Sequence, residues 1–173
     1  MGFPVFYADD EAKQITNTHP LVVQALTERY GQQVYVDGKL NRTFLAEKVF
    51  SNEKEATFVN QLIHPLVRDA YDSFADQHQG TLVFNEAAIL FETGAYKTFD
   101  RMVLVTAPEE MRMERVMRRD NVNADAVKAR MSKQWKDDRK KPLADFVINN
   151  DEHSPVIARI EQIVAELGHS ISS

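Results

Sequence analysis

The chain has 173 residues, of which 43% are hydrophobic and 27% charged, and this fits one globular domain with a sizeable core. A net charge of −5 argues against general nucleic-acid binding, and zero cysteines exclude disulfides and thiolate metal sites. No apolar stretch approaches the ~20 residues that span a bilayer, and no secretion signal is visible. We therefore expect a cytoplasmic protein with neither membrane nor nucleic-acid partners.

Short apolar runs and helical patterns alternate along the chain. The runs at residues 4–8, 81–89, 101–107 and 146–149 are almost continuously apolar, which is typical of parallel strands buried on both faces. Asn52 and Glu55 predict a capping box ahead of a long helix that is interrupted or kinked at Pro65. The alternation of strands and helices predicts an α/β fold.

Asp37 and Gly38 predict a tight turn between two short apolar segments. The helical region from about residue 41 to residue 79 lies between the first two predicted strands of the core. We interpret it as a lobe inserted into one αβ domain that spans residues 1–173, and not as an independent domain.

Asp9 comes directly after the first predicted strand. Ligands of open parallel sheets bind beyond the carboxyl ends of the strands, so we expect this carboxylate to face a cleft. There it can accept a proton from a substrate hydroxyl or hold a metal-bound water. The alternative is a solvated cap of the helix that follows.

Two further carboxylates lie in or near the second long apolar run. Glu86 falls inside it, where a charge is costly unless it is paired or faces a site, and Glu92 is expected at its exit. The alternative places Glu86 at an exposed strand end and Glu92 at the cap of a turn.

Arg112, Arg115 and Arg119 recur at helical spacing and give one helix face repeated guanidinium groups. Arginine forks match phosphate oxygens and stabilise the charge of a transferring phosphoryl group. The alternative is a salt-bridged solvent face, because acidic residues are interleaved with them: Glu109, Glu110, Glu114 and Asp120. The six glycines include no G-x-x-x-x-G-K-[ST] loop, the usual cradle for ATP phosphates.

Six segments resemble motifs of the dephospho-CoA kinase family. Residues 2–9 (GFPVFYAD) resemble its G-[IV]-x-V-[IV]-D-A-D strand, residues 37–42 (DGKLNR) its D-G-x-L-[DN]-R, and residues 62–67 (LIHPLV) its L-x-H-P-x-[IV]. Residues 88–92 (AILFE) are similar to P-L-L-[FV]-E, residues 115–120 (RVMRRD) to R-x-x-x-R-D, and residues 144–150 (ADFVINN) to A-D-x-V-I-x-N. Each motif alone is weak, but their order and spacing together are highly specific.

The resemblance implies a three-layer P-loop kinase fold, with a parallel sheet between helices, a helical acceptor lobe and a lid at about residues 112–142. The family transfers the γ-phosphate of ATP, with Mg²⁺, to the ribose 3′-hydroxyl of dephospho-CoA. Carried over by position, the catalytic residues are Asp9 and Arg119. Those that bind the acceptor are Asn41, Arg42, His64 and Glu92, and those that bind the nucleotide are Arg115, Arg130 and Asn150.

The chain departs from the family pattern at Tyr7, where aspartate is usual, and at Ala88, where proline is usual. The family also places its first strand, its phosphate loop and a helix before the segment that begins here at Gly2. We therefore expect a truncated chain with weak or no kinase activity alone, and an upstream reading frame that encodes the loop. The competing interpretations are another P-loop small-molecule kinase and a non-catalytic protein that binds only the acceptor.

Overall fold

The computed structural model describes residues 2–50 and 52–171. The chain folds as two compact units, Met1–Ala88 and Ile89–Ser173. Strands and helices alternate in both units, which confirms the predicted α/β class. Within the described ranges, no helix is long and apolar enough to cross a membrane.

The described part of the first unit contains two parallel strands, a small hairpin and four helices. In chain order they are β1 (Val5–Tyr7), α1 (Ala8–Thr18), α2 (Pro20–Tyr30), β2 (Tyr35–Val36), β3 (Lys39–Leu40), α3 (Arg42–Phe50), α4 (Glu53–Asp76) and β4 (Phe84–Glu86). Strand β1 pairs with β4 in parallel, so that Val5 lies opposite Phe84 and Tyr7 opposite Glu86. The helical region predicted at about residues 41–79 corresponds to α3 and α4.

The hairpin of β2 and β3 confirms the predicted turn. Asp37 and Gly38 have φ angles of 51° and 73°, the left-handed region that both central residues of the favoured two-residue hairpin turn require. The turn brings Leu40 back opposite Tyr35. It thereby sets the point at which α3 begins.

Four helices of the first unit share a core whose centre is fully buried. Val22 and Leu26 of α2 and Val34 after it have no exposed surface. They pack with buried side chains of the other helices, namely Ile15, Leu45, Val59 and Ile63. Helix α4 spans Glu53–Asp76 with Pro65 inside it, so of the interruption or kink predicted at Pro65 the interruption is wrong.

The capping box predicted for α4 forms only in part. Asn52 Oδ1 accepts a hydrogen bond from the Lys54 backbone N–H at 3.0 Å, as a cap should. The Glu55 carboxylate instead receives Arg29 Nε and Nη2 at 2.6 and 2.8 Å and the Tyr30 hydroxyl at 2.6 Å. A bidentate arginine competes better for a carboxylate than one backbone N–H does, so Glu55 joins α2 to α4.

This ion pair gives the first unit an expected acid dependence. Hydrogen bonds from Arg29 and Tyr30 lower the pKa of Glu55 from 4.5 to about 2. As pH falls below about 4.5, the unfolded chain therefore takes up a proton that the folded chain refuses until about pH 2. Glu55→Gln should thus lower the melting temperature at pH 7, and the difference from wild type should shrink toward pH 2–3. The check is thermal unfolding followed by circular dichroism from pH 3 to 7.

Glu53→Gln is the matched control, because Glu53 is an exposed carboxylate in the same first turn of α4. It should change the melting temperature little at any of these pH values. A Glu55→Gln deficit that stays constant from pH 7 to pH 3 would contradict the assigned linkage.

The described part of the second unit has two parallel strands and five helices. These are α5 (Leu90–Thr93), β5 (Val103–Thr106), α6 (Glu109–Asp120), α7 (Ala124–Met131), α8 (Asp137–Lys140), β6 (Phe146–Asn149) and α9 (Val156–Ile171). Strands β5 and β6 pair in parallel, with Val103 opposite Phe146 and Thr106 opposite Asn149. Phe91, Met102 and Leu104 are the buried centre of this unit.

All four strands expected from the apolar runs are present, in the pairs β1–β4 and β5–β6. The run at residues 81–89 forms a strand only at Phe84–Glu86. Glu86 is therefore at an exposed strand end, as the alternative interpretation had it. Glu92 does not lie at the exit of that strand but inside helix α5.

Candidate functional site

Asp9 lies in the first turn of α1, directly after β1. The carboxylate of its neighbour Asp10 pairs with Lys13 at 2.5 Å, whereas the Asp9 carboxylate makes no hydrogen bond or ion pair with any residue that the structure describes. The N-cap position belongs to Tyr7, so the alternative that Asp9 caps the helix is wrong. The result is an exposed carboxylate at the carboxyl end of a parallel strand, with its oxygens available to a ligand.

Asn41 and Arg42 stand at the start of α3 and have different surroundings. Asn41 Oδ1 accepts from the Phe44 backbone N–H at 3.1 Å, and its Nδ2 donates to the Gln33 carbonyl at 3.4 Å. The side chain therefore fixes the beginning of the helix. Arg42 is exposed, and its guanidinium has no hydrogen-bond or ion-pair partner among the described residues.

His64 lies on α4, on the N-terminal side of Pro65. Desolvation by the surrounding protein lowers the pKa of His64, and the positive charge of Arg68 lowers it further. Part of the residue remains exposed to solvent. At neutral pH the ring is therefore uncharged, and it can accept a hydrogen bond from a substrate hydroxyl.

The four predicted residues of the first unit are carried by helices that contact one another. Helix α4 packs against both α1, which carries Asp9, and α3, which Asn41 and Arg42 begin. An unpaired guanidinium, a neutral imidazole and a free carboxylate thus belong to a single helical group. Such a set suits an acceptor with both hydroxyl and phosphate groups.

In the second unit, each arginine of the predicted α6 series has an acidic partner. Arg112 Nη1 is 3.4 Å from Asp137 Oδ1, Arg115 Nη2 is 3.3 Å from Glu152 Oε1, and Arg119 Nε is 2.7 Å from Asp120 Oδ1. Of the interleaved acids, only Asp120 is among these partners. The face is salt-bridged, as the alternative interpretation predicted, but mainly to residues beyond α6.

Arg115 and Asn150 were both predicted to bind the nucleotide, and the structure brings them together. Arg115 Nη1 donates to the Asn150 carbonyl oxygen at 2.9 Å. Glu152, which holds the other arm of the guanidinium, has a φ of 68°, in the left-handed region that non-glycine residues rarely adopt. The loop after β6 is thus held in place against α6.

Arg119 and Arg130 were also predicted to bind phosphate, and they converge on one carboxylate. Asp120 Oδ2 receives Arg130 Nη1 at 2.6 Å, and Asp120 Oδ1 receives Arg119 Nε at 2.7 Å. Hydrogen bonds from Arg119 and Arg130 lower the pKa of Asp120 to about 2. Two guanidinium groups from α6 and α7 therefore lie beside each other, which is the arrangement that a multiply charged phosphate chain requires.

The sequence did not reveal the polar pair at the ends of β5 and β6. Thr106 Oγ1 donates to Asn149 Oδ1 at 2.8 Å, and the Asn150 backbone N–H donates to the Thr106 carbonyl at 2.7 Å. Thr106 and Asn149 are each the last residue of their strand. A polar residue at the end of each apolar run was the signal in the sequence. The pair ties the Asn150 loop to the carboxyl edge of the sheet.

A surface cleft of about 510 Å³ lies between α6 and this loop. Arg115 and Glu152 contribute to its walls together with apolar and charged residues of α6 and the turn after it: Met111, Glu114, Met117, Arg118 and Val122. Methionine side chains adapt to flat ligands, and arginine stacks on aromatic rings. The cleft can accommodate a base beside a charged phosphate tail.

Glu92 contacts other residues of the second unit, and the sequence did not predict these partners. Its Oε1 accepts from Lys140 Nζ at 2.8 Å and from the Trp135 backbone N–H at 2.7 Å. Burial alone would raise the pKa of Glu92, but hydrogen bonds from Lys140 and Trp135 outweigh it and lower that pKa. Lys140 is itself buried.

A parallel α/β fold with an exposed carboxylate beyond one strand, and arginines beside the end of another, presents the kinds of group that a phosphoryl transfer uses. The family model for dephospho-CoA kinase matches residues 1–155. The chain belongs to the dephospho-CoA kinase family.

Individual relatives agree with the family match. A dephospho-CoA kinase of Bacteroides fragilis is 37% identical over 173 residues, which is 99% of this chain and 84% of that protein. A crystal structure from Thermus thermophilus matches with a TM-score of 0.83 and 29% identity, covering 96% of this chain and 85% of that one. The dephospho-CoA kinase from Campylobacter jejuni matches with a TM-score of 0.66 and 25% identity, covering 95% and 87%. The predicted family and fold are confirmed.

Proposed function

We propose that this chain acts in the ATP-dependent phosphorylation of the ribose 3′-hydroxyl of dephospho-CoA, which yields coenzyme A. The observation that carries the assignment of the site is the free carboxylate of Asp9 beyond β1, because a phosphoryl transfer to a hydroxyl needs a group that orients that hydroxyl. Family membership supplies the reaction, and the contacts of the described residues support the roles below.

The first unit binds the acceptor. Asp9 accepts the hydrogen bond of the attacking hydroxyl and takes its proton as the new P–O bond forms and the bond from the γ-phosphorus to the bridging oxygen of ATP breaks, so that ADP leaves. Arg42 has no internal counter-ion among the described residues, so it binds a phosphate group of the acceptor. Neutral His64 contributes a further hydrogen bond, and Asn41 positions Arg42 by fixing the start of α3.

The second unit binds the donor nucleotide. The 173 residues contain no glycine-rich phosphate loop, so arginines are the phosphate ligands that this chain itself supplies. Arg119 and Arg130 bind the phosphate chain, and the phosphate oxygens then replace part of the contact of these two arginines with Asp120. Arg115 lines the cleft that takes the base, and the Asn150 carbonyl oxygen holds Arg115 by accepting a hydrogen bond from it.

The residues also fit a magnesium ion that arrives with the nucleotide. Among the described residues, no three acidic or histidine side chains form a preformed metal cage. Mg²⁺ is bound mainly by substrate phosphates and water, and the exposed carboxylate of Asp9 would hold one of those waters. When bound, the ion would neutralise charge that develops on the phosphate oxygens.

Separate titrations of dephospho-CoA and of a fluorescent ATP analogue onto the chain test this assignment. Arg42→Met should weaken dephospho-CoA binding roughly tenfold and leave ATP binding unchanged, because a charge-assisted hydrogen bond contributes ~1.5–3 kcal/mol. Arg115→Met should show the opposite pattern. Arg29→Met is not a suitable control, since Arg29 holds Glu55, so Lys39→Met on β3 serves instead.

Each outcome has a distinct meaning. Loss of both affinities in both variants would contradict the division of roles between the two units. Binding of dephospho-CoA with no displacement of the analogue by ATP would favour a protein that binds only the acceptor. Phosphorylation of another small hydroxyl compound in preference to dephospho-CoA would favour a different small-molecule kinase.

A further inference from the structure

The most deeply buried ion pair described in the chain joins α5 to α8. The side chains of Lys140 and Glu92 are only 8% and 11% exposed, and their Nζ and Oε1 atoms are 2.8 Å apart. Every other ion pair that the structure describes has at least one partner whose side chain is 36% or more exposed. Burying two charges is costly unless their geometry is fixed by further hydrogen bonds.

Glu92 receives such a hydrogen bond from the segment that Lys140 ends. The Trp135 backbone N–H donates to the same Oε1 at 2.7 Å, and the guanidinium of Arg139 lies 3.2 Å from the centre of the Trp135 ring. We call residues 133–140 the clamped segment. One carboxylate thus fixes this segment at both a main-chain and a side-chain atom.

The clamped segment in turn contacts the arginine-bearing helix. Asp137 of α8 pairs with Arg112 of α6 at 3.4 Å. One turn further along α6, Arg115 reaches the Asn150 carbonyl and Glu152. A continuous series of contacts therefore leads from Glu92 through α8 to the helix that carries the proposed nucleotide ligands.

We propose that Glu92 is a positioning residue for nucleotide binding, which acts through Lys140 and the clamped segment and does not contact dephospho-CoA. The expected effect of Glu92 on nucleotide affinity rests on the proposed function. The anchoring of residues 133–140 by Glu92 does not depend on that function.

The experiment compares Glu92→Gln with wild type in three measurements on the whole chain. Hydrogen exchange of amides 133–140 should accelerate at least about tenfold, and affinity for the ATP analogue should fall roughly tenfold, as for directly coupled residues. Affinity for dephospho-CoA should stay the same. The amide of the glutamine keeps the shape and the Trp135 hydrogen bond, so the change isolates the lost charge opposite Lys140.

Two further variants separate positioning from general stability. Asp138→Asn removes a carboxylate of the same segment that is 97% exposed and 3.8 Å from Lys141, and it should change none of the three measurements. The double variant Glu92→Gln with Lys140→Met removes both buried charges and keeps a side-chain oxygen that accepts from the Trp135 N–H. It should restore both slow exchange and nucleotide affinity to within about threefold of wild type, because such replacements keep the packing.

Several results overturn the proposal. Weaker dephospho-CoA binding with unchanged nucleotide affinity would make Glu92 an acceptor ligand, as the family resemblance implied. Unchanged exchange at residues 133–140 would remove the anchor, and faster exchange with unchanged nucleotide affinity would leave a purely structural pair. If wild type binds no ATP analogue, the proposed function fails, and the exchange measurement still decides whether Glu92 anchors the segment.

Discussion

Replacing both Arg119 and Arg130 by methionine is expected to weaken binding of the ATP analogue about a hundredfold, and each single change about tenfold. Both guanidinium groups contact Asp120, so they lie together where a phosphate chain would receive charge-assisted bonds from each. Such a bond contributes ~1.5–3 kcal/mol, which is roughly a factor of ten or more. Methionine keeps an apolar stem, and the change therefore removes mainly the charge.

Lys128→Met is the matched control, because Lys128 is an exposed cation on α7 two residues before Arg130. It should leave nucleotide affinity nearly unchanged at about 150 mM salt, where distant surface charges are screened. Equal losses from Lys128→Met and Arg130→Met would mean that only the overall charge of the helix matters, and the assigned phosphate contacts would be wrong.

Removing the two arginines also predicts a titration result. Their hydrogen bonds hold the pKa of Asp120 at about 2, against 3.8 for an ordinary aspartate. In the double variant this pKa should rise toward its ordinary value, and nuclear magnetic resonance of the carboxyl carbon would detect the change. The stability that the lowered pKa contributes is fully present at pH 7 and is lost as pH falls from about 4 to 2, so the double variant should unfold more easily than wild type at pH 7 and the difference should shrink toward pH 2.

The strands and the identity of the family could be predicted from sequence because their signals are local. Continuous apolar runs produced β1, β5 and β6 to within two residues, and Asp37-Gly38 produced the hairpin turn. The long run at residues 81–89 misled, since only Phe84–Glu86 forms a strand and Glu86 is the last residue of that strand. An apolar run predicts that a strand is present better than it predicts where the strand begins and ends.

The partners of charged side chains could not be predicted, because they lie far apart in the chain. Glu55 meets Arg29 across 26 residues, and Glu92 meets Trp135 across 43. A capping motif and an expected acceptor ligand were the local interpretations of these two glutamates. In the structure, Glu55 contacts Arg29 and does not complete the capping box, and Glu92 has partners inside the protein. A carboxylate removed from water takes the best donors that packing brings to it.

Leu26→Ala is expected to have the largest effect on stability, with a loss of about 2–5 kcal/mol in the free energy of unfolding. Leu26 is 0% exposed at the centre of the core that joins α1, α2, α3 and α4. The change leaves a cavity that rigid helices close only in part, and a domain has ~5–15 kcal/mol in total. Urea unfolding followed by circular dichroism, with hydrogen exchange of α2 amides, measures the loss.

Leu21→Ala tests whether this core also supports acceptor binding. Leu21 is on the same helix but 63% exposed, so its truncation should cost less than about 0.5 kcal/mol. Because Asp9, Arg42 and His64 are carried by helices around Leu26, the affinity of Leu26→Ala for dephospho-CoA should fall as temperature approaches its lowered unfolding midpoint, while Leu21→Ala follows wild type. Full acceptor affinity in Leu26→Ala above that midpoint would mean that binding does not depend on the helical group, and the acceptor site would have to be sought elsewhere.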